Sequence, residues 1–108
     1  MQHAGYECVS LNNGSIELLV TKSIGPRIIS LRLSKGDNLF AELPDSISKR
    51  PDGKEYHFYG GHRLWISPED PIRSYGMDDE PVEVDLSEGN LIIRKPVEAE
   101  SGFEKTID

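Results

Sequence analysis

Residues 6–21 read YECVSLNNGSIELLVT. Two segments of alternating polarity flank a turn at residues 12–14, whose Asn-Asn-Gly composition accepts the positive φ that a tight hairpin requires. In the second segment, Ile16, Leu18 and Val20 share one face, because side chains alternate along a strand. The stretch therefore predicts an antiparallel β-hairpin and favours an all-β fold.

The chain that follows this hairpin repeats the alternation less regularly. A strand is predicted at residues 27–33, where Ile29 and Leu31 lie on one side. The chain then turns at residues 35–38, and we expect a further short strand at residues 39–41. Residues 44–54 are polar apart from a single isoleucine, a composition that predicts a surface loop.

The second half of the chain combines loops and short strands. Prolines at positions 68, 71 and 81 predict an ordered loop over residues 62–80, around a short strand at residues 64–66. A hairpin is predicted from residues 82–86 and 91–93, on either side of a Ser-Glu-Gly-Asn turn. A last strand begins at residue 103 and stops after five residues at residue 107, and this favours an incomplete domain.

The composition agrees with this pattern of strands and turns. The chain has 108 residues, among which 10 Ile and 5 Val outnumber 3 Ala, and it contains 10 Gly and 7 Pro. β-branched residues fit a pleated sheet, while Gly and Pro mark turns. We therefore predict one β domain over residues 1–108, an antiparallel β-sandwich that forms the N-terminal part of a larger sandwich.

The charge and the cysteine content exclude several classes of protein. The formal net charge is −7, and residues 66–108 carry 12 acidic against 4 basic side chains. Such a surface repels nucleic acids and anionic lipids. There is neither an apolar run of about 20 residues nor an export signal, and the single Cys8 forms no internal disulfide. We expect a cytoplasmic protein without a nucleic-acid or membrane partner.

The densest group of unusual residues is the segment 59–65, which reads YGGHRLW. Its two glycines permit a close approach between backbone and ligand. His62, Arg63 and Trp65 then supply an imidazole, a rigid five-donor fork and a broad apolar face. This combination suits a sugar, whose hydroxyls accept directional hydrogen bonds while its C–H face packs on an aromatic ring. We predict that these three residues bind the substrate.

A second interpretation exists for two of these residues. A single Trp in a small domain commonly belongs to the core, and Leu64 and Ile66 lie beside Trp65 in sequence. Alternation along a strand points Trp65 away from both neighbours, so a core role and a ligand role both remain open. His62 follows two glycines, and a histidine in a loop needs no ligand.

Other chemistry is not indicated. His57 and His62 are five positions apart, and neither Cys8 nor His3 completes a zinc motif with them. The acidic residues 78–80 lack the spacing of a calcium loop and predict a solvated turn. Cys8 has no basic neighbour in sequence, which argues against a nucleophile. We expect no metal and no cofactor.

Three segments together resemble galactose mutarotase-like (aldose 1-epimerase-like) proteins. Residues 24–31, followed by residues 38–40, are similar to the opening strands of that superfamily. Residues 59–69 resemble a segment containing Gly-Gly-His in a poorly characterised branch. Residues 101–107 are similar to the strand that follows in the same order.

This resemblance implies a large antiparallel supersandwich that binds a sugar in a cleft on one sheet. In the working epimerases, a glutamate base and a histidine acid open the sugar ring, and both lie in later parts of the family's chain. The catalytic residues are therefore unknown here, while His62 and Arg63 match positions that contact substrate. The resemblance implies epimerase activity in a longer chain, and we expect these 108 residues alone to be inactive.

Two alternatives to this hypothesis remain. The chain is a non-catalytic β-sandwich module that binds a carbohydrate or a protein partner, or it is a fragment without an independent function. In the second case, its open sheet edges would pair with another copy to form a homo-oligomer.

Overall fold

The chain folds into antiparallel β-strands. The computed structural model describes residues 1–65, 67–75, 78–98 and 102–108, and within these ranges it contains ten strands and no helix. Every strand pair is antiparallel, which confirms the all-β prediction. The strands are β1 Gln2–His3, β2 Tyr6–Asn12, β3 Ile16–Thr21, β4 Arg27–Leu33, β5 Glu42–Lys49, β6 Glu55–Gly60, β7 His62–Arg63, β8 Glu83–Ser87, β9 Asn90–Lys95 and β10 Lys105–Ile107.

The largest sheet has the order β1-β2-β3-β4-β7. Its β2–β3 hairpin confirms the prediction from residues 6–21, with Leu11 paired to Leu18. The Asn13 side chain stabilises the turn, since its Oδ1 accepts hydrogen bonds from the backbone N–H groups of Ser15 and Ile16 at 3.0 and 2.8 Å. Strand β4 also forms where it was predicted.

The predicted strand at residues 39–41 is wrong. The side chain of Asn38 forms hydrogen bonds with the backbone of β4 where a paired strand would use its own backbone. Its Oδ1 accepts a hydrogen bond from the N–H of Leu31 at 3.0 Å, and its Nδ2 donates to the carbonyl oxygen of Ile29 at 3.1 Å. Because a side chain satisfies these backbone groups, residues 39–41 form no strand in the described structure, and only the N–H of Leu39 donates to β4, to the carbonyl oxygen of Leu31 at 2.9 Å.

The surface loop predicted at residues 44–54 is also wrong, because most of it belongs to β5. This strand pairs with β6, and only residues 50–54 form the connecting turn, closed by the Arg50 N–H to the Lys54 carbonyl oxygen at 2.8 Å. The side chains of β5 are mostly exposed, and Ile47 is 50% exposed. The strand therefore forms through its hydrogen bonds to β6, and an alternation of buried apolar residues does not reveal it.

The second half of the chain follows its prediction more closely. The β8–β9 hairpin forms with the expected turn, and β10 pairs with β9. β10 begins at Lys105, two residues later than predicted. The short strand predicted at residues 64–66 is displaced, since β7 covers His62–Arg63 while Leu64 and Trp65 lie outside it. Ile66 lies outside the described residues.

Apolar side chains join the sheets on both faces of the central sheet. One face packs on the β8–β9–β10 sheet and gives the antiparallel sandwich, with a buried cluster of Val20, Val82, Leu91 and Ile93. The other face carries the cluster Cys8, Leu19 and Ile29, with Tyr6 packed against it. The Tyr6 ring meets the Tyr59 ring of β6 edge to face at 5.6 Å. The β5–β6 hairpin therefore lies on this second face.

In the described part of the chain, no helix is long and apolar enough to span a bilayer.

Candidate functional site

The glycine pair between β6 and β7 brings the chain against β4. Gly61 has φ +74°, and a Cβ placed there would lie 2.9 Å from the Cα of Ile29 and still closer to the carbonyl oxygen of Ile28. Gly60, with φ +93°, lies equally close to the backbone of Ala41. Only glycine accepts both the positive φ and the contact. As a result, β7 pairs directly with β4, with His62 opposite Ile28.

Arg27 fixes this crossing from the β4 side. Its guanidinium is buried, and Nη1 donates to the carbonyl oxygens of Phe58 and Gly60 at 2.9 and 2.5 Å. Nη2 donates to Oδ2 of Asp78 at 2.5 Å, so the buried cation has a buried carboxylate partner. Sequence reasoning did not assign Arg27 to the site. The sequence did carry a signal for a buried role of Arg27, because this residue lies two positions before Ile29 and therefore on the same face of an apolar strand.

Arg63 is buried in a different environment, with 8% of its surface exposed. Its guanidinium carbon lies 4.3 Å from the centre of the Trp65 ring and 5.3 Å from that of Tyr56. Nη1 donates a hydrogen bond to the Tyr56 hydroxyl. Among the described residues, Nε and Nη2 of Arg63 are buried without a hydrogen-bond partner. A buried donor left unpaired costs about 1–3 kcal/mol, so these groups favour an acceptor.

Trp65 lies at the surface and not in the core. It is 54% exposed, and its ring meets the ring of Tyr75 edge to face at 5.4 Å. Together with the contact to Arg63, this holds a half-exposed indole in place. Of the two interpretations that the sequence left open for Trp65, the structure removes the core role.

The three predicted binding residues border the same cleft. His62 is exposed at its rim, while Arg63 and Trp65 form part of its wall. The cleft has a volume of about 390 Å³. It is also lined by Arg27, Leu43, Tyr56, Phe58, Gly60 and Gly61. Within the described chain, the lining contains two arginines and a histidine but no carboxylate.

Trp65 also lines three further clefts. One, of about 320 Å³, is walled by aromatic rings that include Tyr56, Phe58 and Tyr75. A second lies beside Glu69, whose Oε1 accepts a hydrogen bond from the Tyr75 hydroxyl, and a third is bordered by Phe103 and Lys105. The cluster of aromatic residues at 56–59 was visible in the sequence, whereas nothing in the sequence marked Tyr75.

The carboxylates nearest in sequence to the predicted site do not lie in the same cleft as His62. Glu69 borders the cleft on the other side of Trp65. Asp70 is engaged in a turn, where its Oδ1 accepts the backbone N–H groups of Ile72 and Arg73 at 2.9 and 2.8 Å. These two hydrogen bonds hold the pKa of Asp70 below its usual value. His62 therefore does not share one reacting centre, as an acid–base pair would, with either Glu69 or Asp70.

The described residues favour neither metal binding nor thiol chemistry. Among the described residues, no group of three or more His, Cys, Asp or Glu side chains is placed to hold a metal ion. Cys8 is buried in β2, and this burial raises the pKa of its thiol. A protonated, buried thiol is a poor nucleophile.

The fold and this site define an all-β antiparallel sandwich with a shallow cleft walled by aromatic and basic side chains. No family model matches the chain, and neither a curated protein nor a solved structure matches it significantly. The proposed function therefore depends on the chemistry of the cleft and on the motif resemblance.

Proposed function

We propose that this protein binds a carbohydrate in the cleft bordered by His62, Arg63 and Trp65. The observation that carries the proposal is the half-exposed Trp65 ring, held in place by Arg63 and Tyr75. A fixed aromatic ring with one accessible surface suits the C–H face of a sugar. Because the ring is positioned before binding, little conformational entropy is lost when the sugar packs on it.

Polar groups around the ring supply the second requirement of a sugar site. The imidazole of His62 is exposed at the rim, and Arg63 carries two N–H groups that have no acceptor among the described residues. Hydroxyl oxygens accept hydrogen bonds from such donors. A few placed polar groups in an apolar wall give a pocket its specificity.

The resemblance to galactose mutarotase-like proteins supports the same proposal, because those proteins bind sugars in a cleft on a sheet. For these 108 residues we propose binding without isomerisation, since His62 and Glu69 border different clefts. Aldose 1-epimerase activity is proposed only for a longer chain. Polarimetry of D-galactose with the 108-residue protein is expected to give the rate of the buffer, and a faster rate would contradict binding without chemistry.

Fluorescence tests the binding proposal directly, because Trp65 is the only tryptophan in the chain. Titration with D-galactose, D-glucose, D-mannose and the corresponding uronates is expected to give a saturable change in Trp65 emission for at least one sugar. Calorimetry with Trp65→Ala is then expected to show no binding, while Trp65→Phe retains part of it because an aromatic face remains.

Leu86→Ala is the matched control, since Leu86 is 50% exposed on β8, outside the cleft. This variant is expected to bind like the wild type. If no sugar binds, or if Trp65→Ala binds as tightly as the wild type, the carbohydrate proposal is wrong. A protein partner is then favoured, because Leu43 and Phe58 expose apolar surface at the same cleft.

A further inference from the structure

Two buried arginines face the same cleft, and they differ in their partners. Arg27 pairs with the carboxylate of Asp78 and donates to two carbonyl oxygens. Among the described residues, Arg63 donates a hydrogen bond to the Tyr56 hydroxyl and lies against the rings of Tyr56 and Trp65, and it forms no ion pair with a carboxylate. A guanidinium keeps its charge at any physiological pH, so Arg63 is a buried cation without a carboxylate in the described chain.

The two unpartnered nitrogens of Arg63 lie on the same edge of its guanidinium. Nε–H and Nη2–H point in parallel, and both lack an acceptor among the described residues. Two parallel N–H groups match the two oxygens of a carboxylate, and such bidentate pairs are among the strongest hydrogen-bonded contacts in proteins. The free edge of Arg63 therefore fits a carboxylate better than a single hydroxyl.

The surrounding charge favours the same ligand. The lining of the cleft includes Arg27, His62 and Arg63, and no acidic side chain of the described residues is part of it. The protein as a whole has a net charge of −7, so the cleft is locally unlike the rest of the chain. A lining of this kind does not repel an anion at close range.

We propose that the carbohydrate bound by this protein is a hexuronate, with its carboxylate on the Nε/Nη2 edge of Arg63 and its ring against Trp65. This inference rests on the proposed carbohydrate function and names the class of sugar. Both nitrogens are closed to solvent, and the Trp65 ring lies 4.3 Å from the guanidinium carbon. A carboxylate on this edge therefore lies close to the indole, and Trp65 emission reports its binding.

The test compares three ligands on the wild-type protein by calorimetry. D-Galacturonate carries the carboxylate at C6, D-galacturonamide is its neutral counterpart, and D-galactose has a hydroxymethyl group at the same carbon. We expect D-galacturonate to bind at least about tenfold more tightly than the amide, because a bidentate pair of two charged groups is stronger than a hydrogen bond to a neutral amide. D-Glucuronate, its amide and D-glucose test the same difference with the other hydroxyl configuration.

Each outcome decides between the two proposals. Equal affinities for the uronate and its amide would overturn the hexuronate inference and leave carbohydrate binding intact. Binding of none of these sugars would overturn both. Acetate serves as the control for a carboxylate alone, and an affinity equal to that of D-galacturonate would show an anion site without a sugar site.

Variants at Arg63 add a second readout. Arg63→Lys keeps the charge and removes the parallel donors, so we expect it to lose most of the preference for the uronate over the amide. Arg63→Gln is expected to lose all of it. Circular dichroism and thermal unfolding check that each variant is folded, and the wild-type comparison of uronate and amide decides the matter if neither folds.

Discussion

The guanidinium carbon of Arg63 lies 4.3 Å from the centre of the Trp65 ring. The contact joins a buried cation to a half-exposed aromatic side chain that lines four clefts. A cation over an aromatic ring contributes from about 0.5 to 2 kcal/mol, depending on how far the pair is removed from water. The position of the proposed stacking ring therefore depends on Arg63.

Replacement of Trp65 is expected to affect binding far more than folding. Trp65→Ala removes one cation–π contact and one edge-to-face ring contact. We expect the free energy of unfolding to fall by about 1–2 kcal/mol, because the side chain is half exposed. Urea unfolding measures this change, with Leu86→Ala as the control at similar exposure. A loss larger than about 4 kcal/mol would indicate a core residue.

Gly61→Ala is expected to destabilise the site strongly. A Cβ at this position would lie 2.9 Å from the Cα of Ile29, in a backbone region that L-residues avoid. Gly89 has a similar φ of +78° in the β8–β9 turn, but nothing lies within 4 Å of its Cβ position. We expect Gly89→Ala to cost about 1–2 kcal/mol through strain alone, and Gly61→Ala about 1–3 kcal/mol more. Equal losses in urea unfolding would refute the role of the close contact.

Glu98→Gln is expected to cost about 3–5 kcal/mol of stability, because it leaves two buried lysines without this carboxylate. The Glu98 oxygens lie 3.0 Å from Nζ of Lys95 and 3.2 Å from Nζ of Lys105, and all three side chains are buried. The exposed pair of Glu83 and Arg94, at 3.1 Å, provides the control. Glu83→Gln is expected to change the free energy of unfolding by less than about 1 kcal/mol.

The lowered pKa of Glu98 predicts that the free energy of unfolding depends on pH. Burial alone would raise the pKa of Glu98, but the hydrogen bond from Lys95 and the charge of Lys105 outweigh it, so the pKa is below its usual 4.5. Its contribution is therefore present above about pH 4.5 and lost as the pH falls through the folded-state pKa. The difference in unfolding free energy between the wild type and Glu98→Gln should shrink in acid. A constant difference would contradict this assignment.

The raised pKa of Tyr59 predicts that the protein loses stability at alkaline pH. Burial, together with the charges of Asp79 and Asp78, raises the pKa of Tyr59 from 10.0 to about 12. The unfolded chain then releases the phenolic proton first, so the contribution of Tyr59 is complete below pH 10.0 and lost by about pH 12. Tyr59→Phe should flatten the decline of stability across this interval. Chemical denaturation at several alkaline pH values measures it, and an unchanged slope would contradict the raised pKa.

The local signals in the sequence were sufficient for the β2–β3 and β8–β9 hairpins. Asn13 closes its turn with its own side chain, and Gly89 supplies a positive φ next to the pair Ser87–Asn90. Both effects depend on a few consecutive residues, so a local pattern predicts them. Strand β5 was missed because its side chains are mostly exposed and its hydrogen bonds to β6 leave no periodic trace.

The candidate site was predicted only in part, for a related reason. The segment 59–65 places three predicted residues at one cleft, because they are neighbours in sequence. The partner of Arg27 is 51 positions away, at Asp78, and the walls of the adjoining cleft include Tyr75. Contacts between residues so far apart in the sequence depend on how the sheets pack together, and no local sequence pattern specifies this packing.

Strand β4 contributes neighbouring side chains to both faces of the central sheet. Ile28 packs towards the β8–β9–β10 sheet, whereas Ile29 belongs to the cluster on the opposite face. Arg27, on the same face as Ile29, donates hydrogen bonds to the backbone of β6 that borders the cleft. Selection for a new ligand can thus act on one side of the sheet without altering the sandwich on the other. A library that varies His62, Leu43 and Phe58 while retaining Arg27 is therefore a rational starting point for redirecting specificity.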